Sequence, residues 1–267
     1  MSGHAVRPIA VVAAMHEELG ALLSRMPDEH RIQVAGRDFW VGHLHGQLLV
    51  AVLSRIGKVA AALTATVLLE RFGVRAIVFT GVAGGLAPGV AVGDVVVATR
   101  LLQHDLDASP IFPKYEVPLT GHARFATDTQ ISDGLAAVAA EVLRDPVALL
   151  GQKVVEDFGL RKPKVHRGLL VSGDRFVSTA AESEILRRDL PDALAVEMEG
   201  AAVAQVCHDY GVPFAAMRTI SDRADDTAHG DFTRFVSAVA SRYSLALVEA
   251  WLATLPAPDP ALDAAPT

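Results

Sequence analysis

Apolar positions recur along this chain with two periods. Short β-branched runs predict strands at 9–14, 48–53, 76–80, 94–99, 168–172, 194–196 and 214–220. Alanine- and leucine-rich stretches of helical period predict helices at 17–26, 58–72, 133–143, 180–189, 200–210 and 231–255, the first stopped by Pro27. Strands separated by helix-length segments imply crossover connections. The pattern therefore predicts an α/β fold, a single domain over 9–255 with a central mixed β-sheet flanked by helices on both faces. No repeat period and no Gly/Ser linker divides it. Residues 145–167 are polar and weakly periodic and read as an insertion or surface excursion. Residues 1–8 read as a flexible N-terminus, and 256–267, with four prolines and no core pattern, as a disordered tail.

Composition narrows the partners. Of the 267 residues, 51% are hydrophobic and 21% charged, enough apolar content for a sizeable core. Lys and Arg number 24 against 31 Asp and Glu, the formal charge is −7, and no basic run of five occurs. That balance argues against nucleic acid or an anionic membrane as partner. The most apolar stretch, 76–98, is cut by Gly81, Gly84, Gly85, Pro88, Gly89, Gly93 and Asp94 into strand-length pieces, so no membrane-spanning helix is expected. The apolar run 9–15 is too short for a signal peptide and leads straight into His16, Glu17 and Glu18. A lone cysteine, Cys207, cannot form an internal disulfide, and the expected location is the cytoplasm.

The residues able to carry chemistry follow the predicted strands. Thr80-Gly81-Val82-Ala83-Gly84-Gly85 leaves a buried strand where an α/β sheet presents its ligand crevice, but its glycine spacing is not the dinucleotide fingerprint. Gly57-Lys58 resembles the end of a P-loop, yet Val52 stands where the first glycine is needed and Val59 where Ser or Thr is needed. Taken alone, these glycines are tight strand exits. Their company is acidic: Glu17-Glu18 after the first strand, Glu197-Met198-Glu199 after a later one, Ser221-Asp222 at the end of the last. Strand C-termini of a parallel sheet share one edge, so these acids are expected to converge. Carboxylates gathered in a pocket suit hydrolysis through a cationic transition state. Singly, each also fits a first-turn acid or helix cap. His104-Asp105-Leu106-Asp107 has no matching His/Cys group at ligand spacing, and Asp225-Asp226 lacks a calcium-loop pattern, so no metal is expected.

Five segments taken in order carry a family resemblance: Ala14-Met15-His16-Glu17-Glu18, residues 54–62 (SRIGKVAAA), residues 80–88 (TGVAGGLAP), Val196-Glu197-Met198-Glu199 and Arg218-Thr219-Ile220-Ser221-Asp222. Together they resemble the 5'-methylthioadenosine/S-adenosylhomocysteine nucleosidases of the purine nucleoside and uridine phosphorylase superfamily, over about 9–255 and least between 115 and 164. The resemblance implies hydrolysis of the N-glycosidic bond of 5'-modified adenosines, without a cofactor. It implies that Asp222 protonates purine N7, that Glu18 activates the water, and that Glu199, beside Met198, binds the ribose hydroxyls. It implies that Phe176 covers the adenine with the Val177 backbone bonding the base edge, and that Ala83 and Gly84 offer amides near the sugar. Met15, Ile56 and Phe232 would line an apolar 5' pocket, and Glu197, Arg218 and Ser221 complete the substrate-binding set. A homodimer is implied, with Ile111, Phe112 and Tyr115 closing the neighbour's 5' pocket.

Alternatives stay open at this level. His16 interrupts an acidic run seen in many relatives, and residues 107–115 differ from the best-known bacterial form at the part of the pocket that selects the 5' group. Relatives with similar motifs hydrolyse 5'-deoxyadenosine or 6-amino-6-deoxyfutalosine. Phosphorolysis is the mechanistic rival. The phosphorylases place an arginine before the glycine loop where this chain has Val78-Phe79-Thr80, Glu18 would repel a phosphate dianion, and Arg55 is the one cation favouring phosphate. A nucleoside-binding protein without turnover would not need Glu18, Glu199 and Asp222 together.

Overall fold

The computed structural model describes residues 6–226 and 228–257; the expectations for 1–5 and 258–267 lie outside the described residues. In chain order the elements are β1 (Ile9–Ala13), α1 (His16–Leu23), β2 (His30–Val34), β3 (Arg37–Leu44), β4 (Gln47–Leu53), α2 (Lys58–Phe72), β5 (Ala76–Phe79), β6 (Val82–Gly85), β7 (Val95–Gln103) and β8 (Phe125–Ala126). There follow α3 (Thr129–Val142), α4 (Pro146–Leu150), α5 (Gln152–Phe158), β9 (Val165–Ser172), α6 (Ala180–Asp189), β10 (Ala193–Glu197), α7 (Gly200–Tyr210), β11 (Phe214–Asp222), α8 (Ala228–Phe235), a π-helical turn (Val236–Ala240) and α9 (Ser241–Thr254). At the described ends, Arg7 donates to the carbonyls of Gly73 and Val74, and Gln47 Nε2 to that of Pro256.

The sheet order is β2-β3-β4-β1-β5-β11-β6-β10-β9-β7-β8, with β11 also pairing β7. That extra pairing closes β11, β6, β10, β9 and β7 into a small barrel, continuous through β11 with an open wing that is parallel around β1. The sheet is mixed, as the alternating pattern implied.

Side-chain alternation sorts β1 between two cores. Ile9, Val11 and Ala13 face α1, α3 and α9 through Leu19, Leu22, Leu135 and Trp251, while Ala10 and Val12 face α2 and α7 through Ala61, Leu68, Ala204 and Cys207. Every position of β1 and β11 is buried, as expected of strands covered on both faces. Small residues on α2 and α7 let these two helices lie close over the sheet.

Several elements differ from the sequence pattern for physical reasons. The glycine stretch read as a strand exit is itself a strand, β6, pairing parallel to β11 and antiparallel to β10. The β2–β3 hairpin is not among the predicted elements: β2 is exposed along nearly its whole length, and its apolar alternation is limited to Ile32 and Val34. The helical run 231–255 is one periodic stretch but is divided by a π-helical turn at Val236–Ala240. Residues 145–167 form α4, α5 and the start of β9, and Leu150, Val155 and Leu160 belong to the buried core.

Leu160 is 1% exposed and packs on the backbone of Gly93, where a Cβ would come within 2.3 Å of Leu160 Cδ2. Leu160→Ala should therefore lower unfolding free energy by about 2–4 kcal/mol in a urea titration; a loss near zero would return this segment to the surface.

Candidate active site

A cavity of about 470 Å³ opens where β1, β4, β5, β9, β10 and β11 end. All fourteen residues singled out for a single chain's pocket line it: Met15, Glu18, Ile56, Ala83, Gly84, Phe176, Val177, Glu197, Met198, Glu199, Arg218, Ser221, Asp222 and Phe232. The parallel strands β1, β4, β5 and β11 deliver Met15, Glu18, Ile56 and Asp222 to one edge, whereas β9 and β10 run antiparallel to β6 and bring Phe176, Val177, Glu197 and Glu199 in from the barrel side.

Glu18 lies in the first turn of α1 and reaches back over its start, where Oε2 accepts the N–H groups of Ala14 (3.1 Å) and Met15 (3.2 Å). Its Oε1 is buried and completes no hydrogen bond among the described residues. Gly81 makes this placement possible, since a Cβ there would stand 3.0 Å from Oε1. Burial pushes the Glu18 carboxyl up to about 7, against the opposing pull of the Arg218 charge and nearby backbone N–H groups.

Glu197 and Glu199 leave β10 with different fates. Glu197 Oε2 pairs with Arg218 Nη2 at 2.7 Å, both oxygens accept the Gly200 N–H at 2.9 Å, and Ser172 Oγ donates to Oε1. Arg218 also donates to the carbonyls of Phe79 and Met217 and stacks 4.1 Å over the Phe79 ring. These two residues line the pocket, but their polar atoms are engaged within the protein. Glu199 instead accepts one N–H, from Gly57 at 2.8 Å. Burial, reinforced by the negative charge of Glu197, pushes its carboxyl up to about 8.

Asp222 ends β11, 2% exposed, with Oδ2 accepting from Ser221 Oγ (2.7 Å) and Oδ1 from the Ala224 N–H (2.8 Å). It faces β6 at Gly84, where a Cβ would lie 2.9 Å from Oδ1. A register shift between Ile220 and Asp222 turns its side chain toward the cavity. The rest of the lining is largely apolar: the rings of Phe176 and Phe232 meet edge to face at 5.5 Å, and Met15, Ile56 and Met198 also line the cavity.

Ile111, Phe112 and Tyr115 do not line the cavity of their own chain; Ile111 is 81% exposed, and Tyr115 rests on the core around Leu186 and Val171. Arg55 is likewise outside, on a second cavity with Arg37 and Trp40, its guanidinium donating to the Gly36 carbonyl. Thr80, Gly81, Val82, Arg175 and Thr233 line the cavity without having been singled out. The glycine stretch was the available signal for Thr80, Gly81 and Val82; Thr233 carries none.

Comparison with known proteins places this geometry. The family model of the phosphorylase superfamily matches residues 8–253. The 5'-methylthioadenosine/S-adenosylhomocysteine nucleosidase of Anoxybacillus flavithermus is 35% identical over 232 residues, covering 87% of this chain and 92% of the relative. The Neisseria meningitidis nucleosidase of that name, solved with methylthio-immucillin-A, superposes with TM-score 0.82 at 33% identity, over 94% of this chain and 100% of that one. Futalosine hydrolase of Helicobacter pylori gives TM-score 0.79 at 32% identity, over 92% and 97%. With five motifs in order, one carboxylate-lined cavity at the strand ends and this similarity along most of its length, the chain belongs to the phosphorylase superfamily and, within it, to the 5'-methylthioadenosine/S-adenosylhomocysteine nucleosidases.

Proposed function

We propose that this chain hydrolyses the N-glycosidic bond of 5'-substituted adenine nucleosides, releasing adenine and the 5'-substituted ribose. The observation that carries the reading is that Glu18, Glu199 and Asp222 line one cavity together with the paired rings of Phe176 and Phe232. As the bond to the purine stretches, positive charge grows on the ribose, and carboxylates in a water-poor cavity stabilise it strongly. Glu199 binds the ribose hydroxyls and lies nearest that charge. Asp222 passes a proton to purine N7 so that adenine leaves neutral, and Ser221 and the Ala224 N–H hold its carboxyl in place. Glu18 takes a proton from the attacking water through Oε1 while Oε2 stays fixed on two backbone N–H groups. Glu197 and Arg218 support Glu199 from behind, since their hydrogen bonds run to the protein.

Several features support water over phosphate as the acceptor. Arg218 is spent on Glu197, Arg175 pairs with Glu182 at the surface, and Arg55 stands outside the cavity. The apolar residues Met15, Ile56 and Phe232 suit a thioether tail, as the names of the relatives suggest. Hydrolysis of a futalosine-type nucleoside is the second reading, supported by the similarity to the Helicobacter pylori hydrolase. We further propose a cytoplasmic homodimer in which Ile111, Phe112 and Tyr115 complete the partner's 5' pocket. Exposed Ile56, Val59 and Leu63 on and before one face of α2 support such an interface, and mass in solution checks it.

Asp222→Asn should abolish most adenine release, by about 100-fold or more, with an unchanged melting temperature. Wild-type release should not depend on phosphate; a strict phosphate requirement with ribose 1-phosphate as product would overturn hydrolysis.

Glu18 should oppose stability while serving catalysis. Its folded pKa, about 7, lies above the usual 4.5, so stability is lost as pH rises between those values and stays lost above them. Glu18→Gln should accordingly be inactive, yet more stable than wild type at pH 8 by up to about 3 kcal/mol, with the gap closing toward pH 4.5. Equal destabilisation at both pH values would contradict this. Because Glu18 must be ionised to take a proton and Glu199 to face the growing positive charge, wild-type kcat/KM should rise with pH through about 7 and on through about 8, the upper step belonging to Glu199.

A further inference from the structure

Three fragments that the reaction leaves unused meet beside the cavity: Gly57-Lys58, His104-Asp105 and Gly173-Asp174. Lys58 Nζ donates to Asp105 Oδ1 at 2.6 Å and to Gln103 Oε1 at 3.1 Å, and lies 3.9 Å from Asp174 Oδ2. Asp174 Oδ1 accepts the Lys58 N–H at 2.8 Å, and the Asp174 N–H donates to Asp105 Oδ2 at 2.8 Å. Each of the three thus holds the other two, across loops far apart in sequence. The Lys58 side chain is 15% exposed, that of Asp105 27% and that of Asp174 50%, so the ring is sheltered at Lys58 and open to solvent at Asp174.

The ring borders two walls of the site. Gly57, immediately before Lys58, gives its N–H to Glu199 at 2.8 Å. Its φ of +95° is open to glycine, and a Cβ there would stand 3.2 Å from Asp174 Oδ1. On the other side Asp174 precedes Arg175, Phe176 and Val177, all of which line the cavity. Exposed ion pairs contribute little to stability, so the value of this one lies in joining the two loops.

We propose that Lys58, Asp105 and Asp174 are positioning residues that hold the Gly57 N–H on Glu199 and fix the Phe176–Val177 wall relative to it, shaping the cavity before substrate enters. The inference rests on the nucleosidase reading of Glu199. The other charged or titratable groups facing Glu199 are Glu197 on its own segment, Arg218 from β11 and Glu18 from α1. Only the Gly57 contact passes through the ring. Loss of that N–H removes a bond to the ionised carboxylate, so Glu199 would then ionise at higher pH.

The test uses the full chain with Lys58→Met, Asp174→Ala and the conservative Lys58→Arg and Asp174→Asn. Steady-state kinetics with 5'-methylthioadenosine should show kcat/KM lower by about 10- to 100-fold in the first two, mostly in kcat, as expected of misplaced groups. The ascending limb of their pH profiles should move up by about half a unit or more. The conservative pair should recover part of the rate. Hydrogen exchange at the Gly57 amide reads the same contact without catalysis and should be faster in Lys58→Met and Asp174→Ala. Unchanged Gly57 protection, or an unshifted pH limb whatever the rate, overturns the proposal. A wild-type protein that releases no adenine but whose Gly57 amide is deprotected by these substitutions would instead count against the nucleosidase reading, leaving the ring in place.

Discussion

Keeping several carboxylates in an apolar cavity is the constraint on which the rest of the structure depends. Each ionised group loses hydration on burial, which holds the Glu18 proton to about 7 and, with the negative charge of Glu197 beside it, the Glu199 proton to about 8. The surroundings answer that cost locally. Glu197 is neutralised by Arg218, a pair buried to 2% on both side chains, so one of the acids leaving β10 becomes framework and the other stays available. Backbone N–H groups of Ala14, Met15, Gly57 and Ala224 hold the remaining carboxyls in position. Gly81 and Gly84 leave the space that lets two of them lie against backbone.

The fold supplies this arrangement through β11. One end of this strand extends the parallel wing beside β5, and the other pairs β6 and β7 in the barrel. Arg218 and Asp222 lie on it, one facing the buried counter-charge, the other turned into the cavity past a register shift. Displacing β11 would thus disturb Asp222 and the neutralising pair together. The cavity combines a charged floor with an aromatic wall, which suits a flat base leaving a sugar that becomes cationic.

Much of this was legible in the sequence, and the gaps have physical causes. The fully buried strand β1 announces itself as an unbroken apolar run, as does the first half of β11 at 214–217, and the acids at strand ends mark a crevice without any knowledge of contacts. Edge strand β2 has no buried face to pattern it, and β6 was hidden because its glycines serve the approach of Asp222 rather than strand propensity. Helices α4 and α5 are too short to show a period. In sequence Lys58 resembles a P-loop fragment and Asp105 a metal ligand, because their real partners lie 47 and 69 residues away and no local spacing encodes them. The resemblance separates Glu199 from Glu197, but the ion pair that makes Glu197 framework joins it to Arg218, 21 residues away, and no local spacing encodes it.

The central claim is that this cavity stabilises positive charge on the ribose. Calorimetric affinities of two adenine nucleoside analogues, alike except that one carries a cationic nitrogen in its sugar ring, test it most directly. The account predicts that the cationic analogue binds about 100-fold or more tightly than the neutral one, and that Glu199→Gln removes most of the difference. Equal affinities for the two analogues in the wild-type protein would contradict it.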